Sequence, residues 1–345
     1  MAAAVTVASF SNTVGAAPVE GAGSTFALPV LNAWKKSFLQ KRSGGGDFGV
    51  DEFGIDYEPI GSLAGIMRLA QPDIDFAASD APLSPEQLEK RDLAQFPLVM
   101  GGLAVVANLE GVAPGQLRLS GDLVAKIYFG TINKWNDPAI AAINPGLMLP
   151  DQAIVPMHRQ DGSGSTFTFT RYLSSMNAEW KSGPGSDTLI NWPPVGQAAE
   201  GTSGLIAKVK ENPGAIAYVE FGQAEREKLG YAQITNRAGT FVTPSAKTFS
   251  DTASSARWDA AKDFYLQLTD VDTVDAYPLG TVTFALMHKT QTSSSRTRRA
   301  LFFLEHGLQS GARDASDLGY VPVPAAVVEK IKTYWHETFP GAVGL

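Results

Sequence analysis

The chain contains no cysteine, and this absence removes several kinds of site from consideration. Among its 345 residues there is no thiol for a disulfide, a thiolate metal site or a nucleophilic cysteine. Long apolar runs are missing too: no stretch of roughly 18 apolar residues occurs, so we expect no transmembrane helix. None of the 4 histidines pairs with another at the spacing of metal ligands. We therefore predict no metal site and no cofactor.

The balance of charge is weakly acidic. The formal net charge is −7, which disfavours nucleic acid and anionic membranes as partners. A site for an anion on this chain must therefore rely on local donors, because the overall field repels anions weakly. With 44% hydrophobic residues and this length, the chain can bury a sizeable core and is expected to form two domains.

The first residues differ in composition from the rest of the chain. Residues 1–18 are rich in Ala, Val, Ser and Thr, and no charged residue precedes Glu20. This composition is similar to the later part of a secretory signal peptide, although the basic start of such a peptide is missing. We expect residues 1–19 to be a signal-peptide remnant or a disordered leader, and the composition suggests that the protein is exported.

The stretch at residues 159–166 combines the features of an anion-binding turn. It follows an apolar segment typical of a buried strand and precedes residues that continue as a helix. Its glycines let the backbone approach a ligand, and the first amides of the helix have no internal partner. Arg159 adds a planar, permanently charged fork. On its residues alone, this turn is suited to phosphate, sulfate or a carboxylate.

Three other turns place polar residues directly after a predicted strand. Thr25 lies in a Gly/Ser/Thr turn ahead of a helix, Ser62 stands where it can cap a helix, and Asp80 follows a strand at residues 74–78. Each turn taken singly is equally typical of ordinary capping or loop geometry. Strands alternate with helices along the chain, which indicates an α/β protein. Ligands bind beyond the carboxyl ends of strands in such sheets, so one cleft can collect these residues.

Enzyme signatures are weak in this sequence. The Gly/Ser turns at residues 162–164 and 201–204 do not match the Gly-x-Ser-x-Gly pattern of a serine hydrolase. His158 is the only histidine beside the turn at 159–166, and at a strand end such a residue is more often structural. We therefore predict a binding protein and no enzyme.

Four segments together resemble a known family, the phosphate-binding protein of the high-affinity ABC-type phosphate uptake system. The similarity extends across nearly all of residues 20–340. The segments that carry it occur in the family's order, at residues 21–26, 60–62, 76–84 and 159–167.

This resemblance implies a two-lobed periplasmic binding-protein fold of type II. Each lobe is then a mixed sheet flanked by helices, with the ligand cleft at a two-strand hinge. We expect lobe I at residues 20–98 plus 280–345 and lobe II at residues 99–279. The chain would cross between the lobes near residues 96–102 and 277–281.

The resemblance also implies which residues hold phosphate. Asp161 would pair with Arg159 and fix its orientation. The implied phosphate contacts are Thr25, Phe26 (through its backbone N–H), Ser62, Asp80, Arg159, Ser163, Gly164 (through its backbone) and Ser165. Three departures stand out: Ser165 where the family usually has Thr, Leu63-Ala64 where it usually has Ser-Gly, and a longer glycine-rich segment near residues 42–50.

An acidic residue in an anion site needs a physical reason. A buried carboxylate facing a dianion costs several kcal/mol unless something lies between them. Phosphate near neutral pH keeps at least one proton, which Asp80 can accept in a short charge-assisted hydrogen bond. Sulfate has no such proton, so Asp80 would repel it and thereby select phosphate.

The expected function is reversible binding of inorganic phosphate in the cleft between the lobes and its delivery to a membrane ABC transporter permease. We expect a monomer that does not itself insert in the membrane. Three alternatives stay open: a binder of another tetrahedral oxyanion, an enzyme acting on phosphate esters, and a phosphate binder that serves adhesion or sensing.

Overall fold

The chain folds as an α/β protein in the computed structural model, which describes residues 16–43, 53–290 and 293–342. Residues 1–15 of the expected leader, and nearly all of the glycine-rich segment predicted as a loop at residues 42–50, lie outside the described residues.

The strands of the described residues are β1 (Ala16–Gly23), β2 (Phe53–Glu58), β3 (Phe76–Ser79), β4 (Leu93–Ala107), β5 (Arg118–Leu119), β6 (Val155–Arg159), β7 (Gln197–Ala199), β8 (Ala215–Glu220), β9 (Gly230–Tyr231), β10 (Gln233–Thr235), β11 (Phe241–Val242), β12 (Gly280–His288) and β13 (Val321–Pro322). The helices are α1 (Leu28–Ser43), α2 (Ser62–Arg68), α3 (Pro85–Arg91), α4 (Gly121–Phe129), α5 (Pro138–Ile143), α6 (Gly164–Met176), α7 (Ala178–Ser182), α8 (Gly201–Glu211), α9 (Phe221–Arg226), α10 (Ala246–Ser254), α11 (Ser294–Gln309), α12 (Ala312–Asp317) and α13 (Ala325–Thr338), with a 3-10 turn at Ala260–Lys262.

One long sheet runs through both lobes. Its order is β2-β1-β3-β12-β4-β8-β6-β7, and β9 and β13 add to β4. Strand β1 runs parallel to β2 and β3, whereas β12 runs antiparallel to β3 and β4, so the sheet of lobe I is mixed. In lobe II, β6 is parallel to β7 and β8, and β8 is antiparallel to β4. The two-lobed α/β fold that the sequence predicts is therefore present.

Strand β4 carries the chain from one lobe to the other. The almost wholly apolar run at residues 96–106 predicts a buried strand, and this prediction is confirmed, because all 15 residues of β4 are buried. From Leu93 to Gly102 it pairs with β12, and from Leu103 onward it pairs with β8. The change of partner therefore falls between Gly102 and Leu103.

Some of the helix and strand predictions made from short sequence patterns are confirmed and others are wrong. The sequence Ser84-Pro85-Glu86-Gln87 predicts a capped helix start. This prediction is confirmed, since Ser84 and Gln87 form a capping box with Pro85 at the first turn of α3. Residues 16–19, expected in the leader, are part of β1 and pair with β2. The spacing of Trp258, Ala261, Phe264 and Leu268 predicts a helix at residues 256–268. This prediction is wrong, because Asp263 and Phe264 adopt positive φ of 48° and 55°, which stops helical propagation.

The described helices include none with the length and apolar character that a membrane span requires. Helix α1 packs against α11 through a large aromatic side chain. In lobe I, the indole of Trp34 in α1 donates to the carbonyl of Gly311 at 2.9 Å. A Cβ on Gly307 or Gly311 would come within 2.3 Å of that indole, so these glycines allow α11 and its C-terminal turn to approach α1 closely.

Candidate anion-binding site

The polar residues singled out in the sequence converge where the strands of the two lobes end. Ser24 and Thr25 follow β1, Asp80 follows β3, and Arg159 is the last residue of β6. Because β1 and β3 are parallel, their ends lie side by side. The helices that follow, α2 and α6, begin at Ser62 and Gly164 and point their first amides toward the same region. This is the edge of an α/β sheet at which ligands bind.

Arg159 is almost completely buried, with 2% of its surface exposed, and several hydrogen bonds hold it in place. Its backbone N–H donates to the hydroxyl of Tyr218 at 3.1 Å. Its guanidinium makes a two-pronged pair with Asp161, in which Nε donates to Oδ1 at 2.6 Å and Nη2 donates to Oδ2. Burial would raise the pKa of Asp161, but the hydrogen bond and charge of Arg159 lower it below its usual value. Asp161 is therefore a carboxylate that orients the fork.

The free side of the Arg159 fork reaches lobe I. Nη1 donates to the hydroxyl of Thr25 at 3.1 Å and to that of Thr202 at 3.4 Å. The two hydroxyl oxygens lie 2.8 Å apart. Thr202 lies in the first turn of α8, and the backbone N–H of Gly201 in the same turn donates to Asp161 at 3.0 Å. Arg159 thus sits at the junction of three elements.

Asp80 forms the opposite pole of the site. It is 4% exposed, and its carboxylate accepts from Ser24 at 2.6 and 2.7 Å, from Thr283 at 2.6 Å and from Ser62 at 3.4 Å. Burial raises the pKa of Asp80, while the hydroxyls of Ser24 and Thr283 and the charge of Arg159 oppose that rise. The protons of the hydroxyls of Ser24, Thr283 and Ser62 occupy three of the roughly four acceptor positions of the carboxylate, which leaves room for one more donor.

A second contact between the lobes runs through Ser62. Its hydroxyl accepts from the backbone N–H of Gly164 at 3.2 Å and from that of Asp80 at 3.2 Å. The prediction that Ser62 caps α2 is wrong, because Gly61 at φ 90° is the N-cap and no side chain caps that helix. Gly61 can take this conformation because it lacks a Cβ, and the hydroxyl of Ser62 is thereby free to serve the site.

The N-terminus of α6 supplies further donors. Ser163 is its N-cap and its hydroxyl accepts from the backbone N–H of Thr166 at 3.4 Å. Ser165 follows in the first turn and is buried. On lobe I, Phe26 is buried, and its N–H has no acceptor among the described residues. The amides at such a helix start carry partial positive charge toward the site.

Three residues that contact the site were not predicted from the sequence: Ser24, Thr283 and Thr202. Thr202 carries the same signal as the residues that were found, since it follows a short strand, a glycine and a helix start. Ser24 is adjacent to the predicted Thr25. Nothing in the sequence distinguishes Thr283 from the other hydroxyl residues of β12, because its contact depends on the antiparallel pairing of β12 with β3.

His158 does not contribute to the site. Its ring stacks on Trp192 with a centroid distance of 4.5 Å, and Nδ1 lies 3.1 Å from the Arg159 carbonyl. Burial lowers the pKa of His158, which favours the neutral form of the ring. In the part of the chain that the structure describes, no group of His, Asp and Glu side chains is arranged to hold a metal ion. The site therefore offers donors for an oxyanion and one carboxylate that accepts a proton.

Comparison with known proteins points in the same direction. A family model described as the PBP superfamily domain matches residues 8–301. The phosphate-binding protein PstS of Xylella fastidiosa is 40% identical over 321 residues, which cover 93% of this chain and 85% of that protein. The protein of the same name from Pasteurella multocida is 38% identical over 335 residues, covering 97% and 94% respectively.

Solved structures extend the likeness to the fold. The crystal structure of the phosphate-binding protein of Stenotrophomonas maltophilia matches with a TM-score of 0.65 at 17% identity, covering 92% of this chain and 94% of that one. At this level of identity the match speaks for the shared architecture, and the assignment of individual residues depends on the geometry described above.

Proposed function

Because this chain belongs to the PBP superfamily, and within it to the family of phosphate-binding proteins PstS, we propose that it binds inorganic phosphate reversibly between its lobes and delivers it to an ABC transporter for import. The same inference makes it a periplasmic, monomeric receptor that docks on the transporter's permease and catalyses no reaction. Lobe I is proposed to comprise residues 20–98 and 280–345, and lobe II residues 99–279, with β4 and the start of β12 as the hinge.

One observation supports phosphate above other anions: the buried Arg159 fork and the buried Asp80 carboxylate belong to one site. A fork alone suits any oxyanion. A carboxylate beside it favours an oxyanion that brings its own proton, because the proton turns repulsion into a charge-assisted hydrogen bond. Phosphate near neutral pH carries such a proton, whereas sulfate does not.

The remaining roles follow from position. We assign contacts with phosphate to both lobes. On lobe I they come from Thr25, the N–H of Phe26, Ser62 and Asp80, and on lobe II from Arg159, Ser163, the N–H of Gly164 and Ser165. Asp161 acts through Arg159 by holding its fork in place. Since the donors come from opposite lobes, phosphate would draw the lobes together, and closure would exclude water and strengthen each hydrogen bond.

Calorimetry with three anions tests this proposal. The wild-type protein should bind phosphate tightly and arsenate measurably, since arsenate carries the same proton, and should not bind sulfate. Asp80→Asn should weaken phosphate binding and reduce the difference in affinity between phosphate and sulfate. Asp272→Asn removes an exposed carboxylate and should change nothing. Equal affinity of the wild type for sulfate and phosphate would refute the role of Asp80.

The enzyme alternative requires a separate measurement. A phosphate-ester hydrolase would release phosphate from a generic ester, and a Ser163→Ala variant would abolish that release if Ser163 were its nucleophile. We expect no turnover from the wild type. Turnover that disappears with Ser163→Ala would overturn the receptor assignment.

A further inference from the structure

Two buried hydroxyls hold the carboxylate of Asp80, and neither belongs to a residue assigned to phosphate above. Thr283 donates to Oδ1 at 2.6 Å. The hydroxyl of Ser24 lies 2.6 Å from Oδ2 and 2.7 Å from Oδ1. Both side chains are buried beside Asp80 in lobe I. Their contacts with Asp80 therefore need a reason other than direct contact with the anion.

These hydroxyls stabilise one protonation state of Asp80. A hydrogen bond donated to a carboxylate favours the charged form. Burial raises the pKa of Asp80, and the hydrogen bonds from Ser24 and Thr283 oppose this rise more strongly than the charge of Arg159 or the hydroxyl of Ser62 does. The contact from Ser62 is also long, at 3.4 Å. Ser24 and Thr283 are therefore the main groups that keep the buried carboxyl ionised.

Other ionisable groups also face Asp80. They include Arg159 on β6, with Asp161 paired to it, Tyr57 on β2 and Tyr320 just before β13. Burial raises the pKa of both phenols well above the ordinary value, so neither is charged near neutral pH. Arg159 is itself a proposed phosphate contact. The two hydroxyls can thus be removed to change the state of Asp80 without removing a group that binds the anion.

The protonation state of Asp80 determines which oxyanion the site accepts. A carboxylate with one free acceptor position takes the proton of phosphate in a charge-assisted hydrogen bond. It repels sulfate, which has no proton to give near neutral pH. A protonated Asp80 donates its own proton instead, and a sulfate oxygen accepts it. Discrimination between the two anions therefore depends on the groups that keep Asp80 ionised.

We propose that Thr283 and Ser24 set the selectivity of the cleft for phosphate by holding Asp80 as a carboxylate. The inference rests on the phosphate-binding function proposed above and adds two residues that determine its specificity. Thr283 reaches Asp80 because β12 pairs antiparallel with β3, with Phe284 opposite Ser79. Both residues act through Asp80 and need not touch the ligand.

Calorimetry of Thr283→Val with sulfate and phosphate near pH 6 tests the proposal. Valine keeps the branched shape of threonine and removes the hydroxyl. Loss of one hydrogen bond to a charged group increases the protonated fraction of Asp80, so sulfate affinity should rise at least about tenfold over the wild type. Damage to the fold or to the site would weaken binding of both anions, so a gain for sulfate distinguishes the proposed role from a structural one.

The pH profile and matched variants complete the test. The sulfate affinity of Thr283→Val should fall as the pH is raised, because Asp80 must carry a proton to donate. Thr283→Ser keeps the hydroxyl and should exclude sulfate as the wild type does. Thr252→Val removes another buried hydroxyl, which donates to two backbone carbonyls, and should exclude sulfate too. Ser24→Ala should gain sulfate affinity, although it also deprives the N–H of Ala27 of its acceptor.

The outcomes separate this inference from the proposed function. If the wild type bound no phosphate, the proposed function would be wrong and this inference with it. If the wild type bound phosphate and excluded sulfate, and Thr283→Val and Ser24→Ala excluded sulfate just as strictly, only the role of the two hydroxyls would be overturned. A gain of sulfate affinity in Thr283→Val that did not change with pH would overturn it as well.

Discussion

The hydroxyl oxygens of Thr25 and Thr202 lie 2.8 Å apart, although 177 residues separate them in the chain. Thr25 follows the first strand of lobe I, and Thr202 begins a helix of lobe II. Both hydroxyls also accept from Nη1 of Arg159. The pair thus joins the two lobes at the one guanidinium on which the proposed phosphate site depends, and it gives Thr202 a part in positioning both Thr25 and Arg159.

Replacing Thr202 by Val should weaken phosphate binding about tenfold, because one hydrogen bond to a charged group and one between hydroxyls are lost together. Thr202→Ser keeps the hydroxyl and should restore most of the affinity, which a merely space-filling role would not predict. Calorimetry at fixed salt gives the comparison. Ser203→Ala alters the exposed neighbour and serves as the control. Wild-type affinity in Thr202→Val would show that the pair is incidental to binding.

Arg159→Lys keeps the positive charge and should still reduce phosphate affinity at least about a hundredfold. A lysine ammonium is a point charge that cannot hold Asp161 with two donors and direct a third toward Thr25 and the ligand. The unfolding free energy of the ligand-free variant should fall too, because Asp161 loses its two-pronged partner. Calorimetry and urea unfolding measure the two effects. Retention of affinity within threefold would show that charge alone suffices.

How much of this could be predicted from the sequence depends on where each signal lies. The turns after β1, β3 and β6 can be predicted because glycine, hydroxyl and charged residues follow apolar runs there. The capping box of Ser84 can be predicted because it involves only four consecutive residues. Such features are determined by residues that are close together in the sequence. They place Thr25, Asp80 and Arg159 correctly at strand ends.

The features that the sequence did not reveal depend on tertiary pairing. Thr283 reaches Asp80 only because β12 lies beside β3 in a particular register. The periodic apolar residues at 256–268 suggest a helix, yet Phe264 is buried against Tyr334 in a left-handed conformation. There a contact with α13 outweighs local propensity, which is a weak determinant by comparison.

The buried Glu220 should make stability depend on pH. It ends β8 opposite Leu103, where β4 has just changed partner, and it is 2% exposed. Burial raises the pKa of Glu220 to about 7, although the charge of Arg226 and the N–H groups of Gly222 and Gln223 oppose the rise. Between its ordinary value near 4.5 and 7, the folded state holds a proton that the unfolded state releases, so raising the pH through this range destabilises the fold.

The measurement is urea unfolding at about pH 5 and about pH 8. The unfolding free energy of the wild type should fall by about 2–3 kcal/mol more over this range than that of Glu220→Gln, which cannot ionise. Glu211→Gln, at an exposed position on α8, should follow the wild type. Parallel pH profiles for wild type and Glu220→Gln would contradict a raised pKa.

Gly164 lies in close contact with lobe I, and its missing side chain should be a condition of closure. A Cβ there would lie 2.6 Å from Cβ of Asp80 and 2.7 Å from the Ser62 hydroxyl, both on lobe I. Carbon atoms do not approach so closely, so Gly164→Ala must hold the lobes apart at the site. Overpacking of this kind costs about 1–3 kcal/mol, which corresponds to a loss of phosphate affinity of about five- to 150-fold.

The loss should come from closure and not from folding, because the three atoms nearest to the added methyl group belong to the opposite lobe and alanine suits the first turn of a helix. Urea unfolding of the ligand-free Gly164→Ala variant should therefore match the wild type. Small-angle scattering should show the wild type contracting on addition of phosphate and the variant contracting less. Gly204→Ala, whose Cβ would have no neighbour within 4 Å, controls for the added methyl group on α8. If Gly164→Ala bound phosphate as tightly as the wild type and contracted fully, apposition of the lobes at Gly164 would not be required for binding.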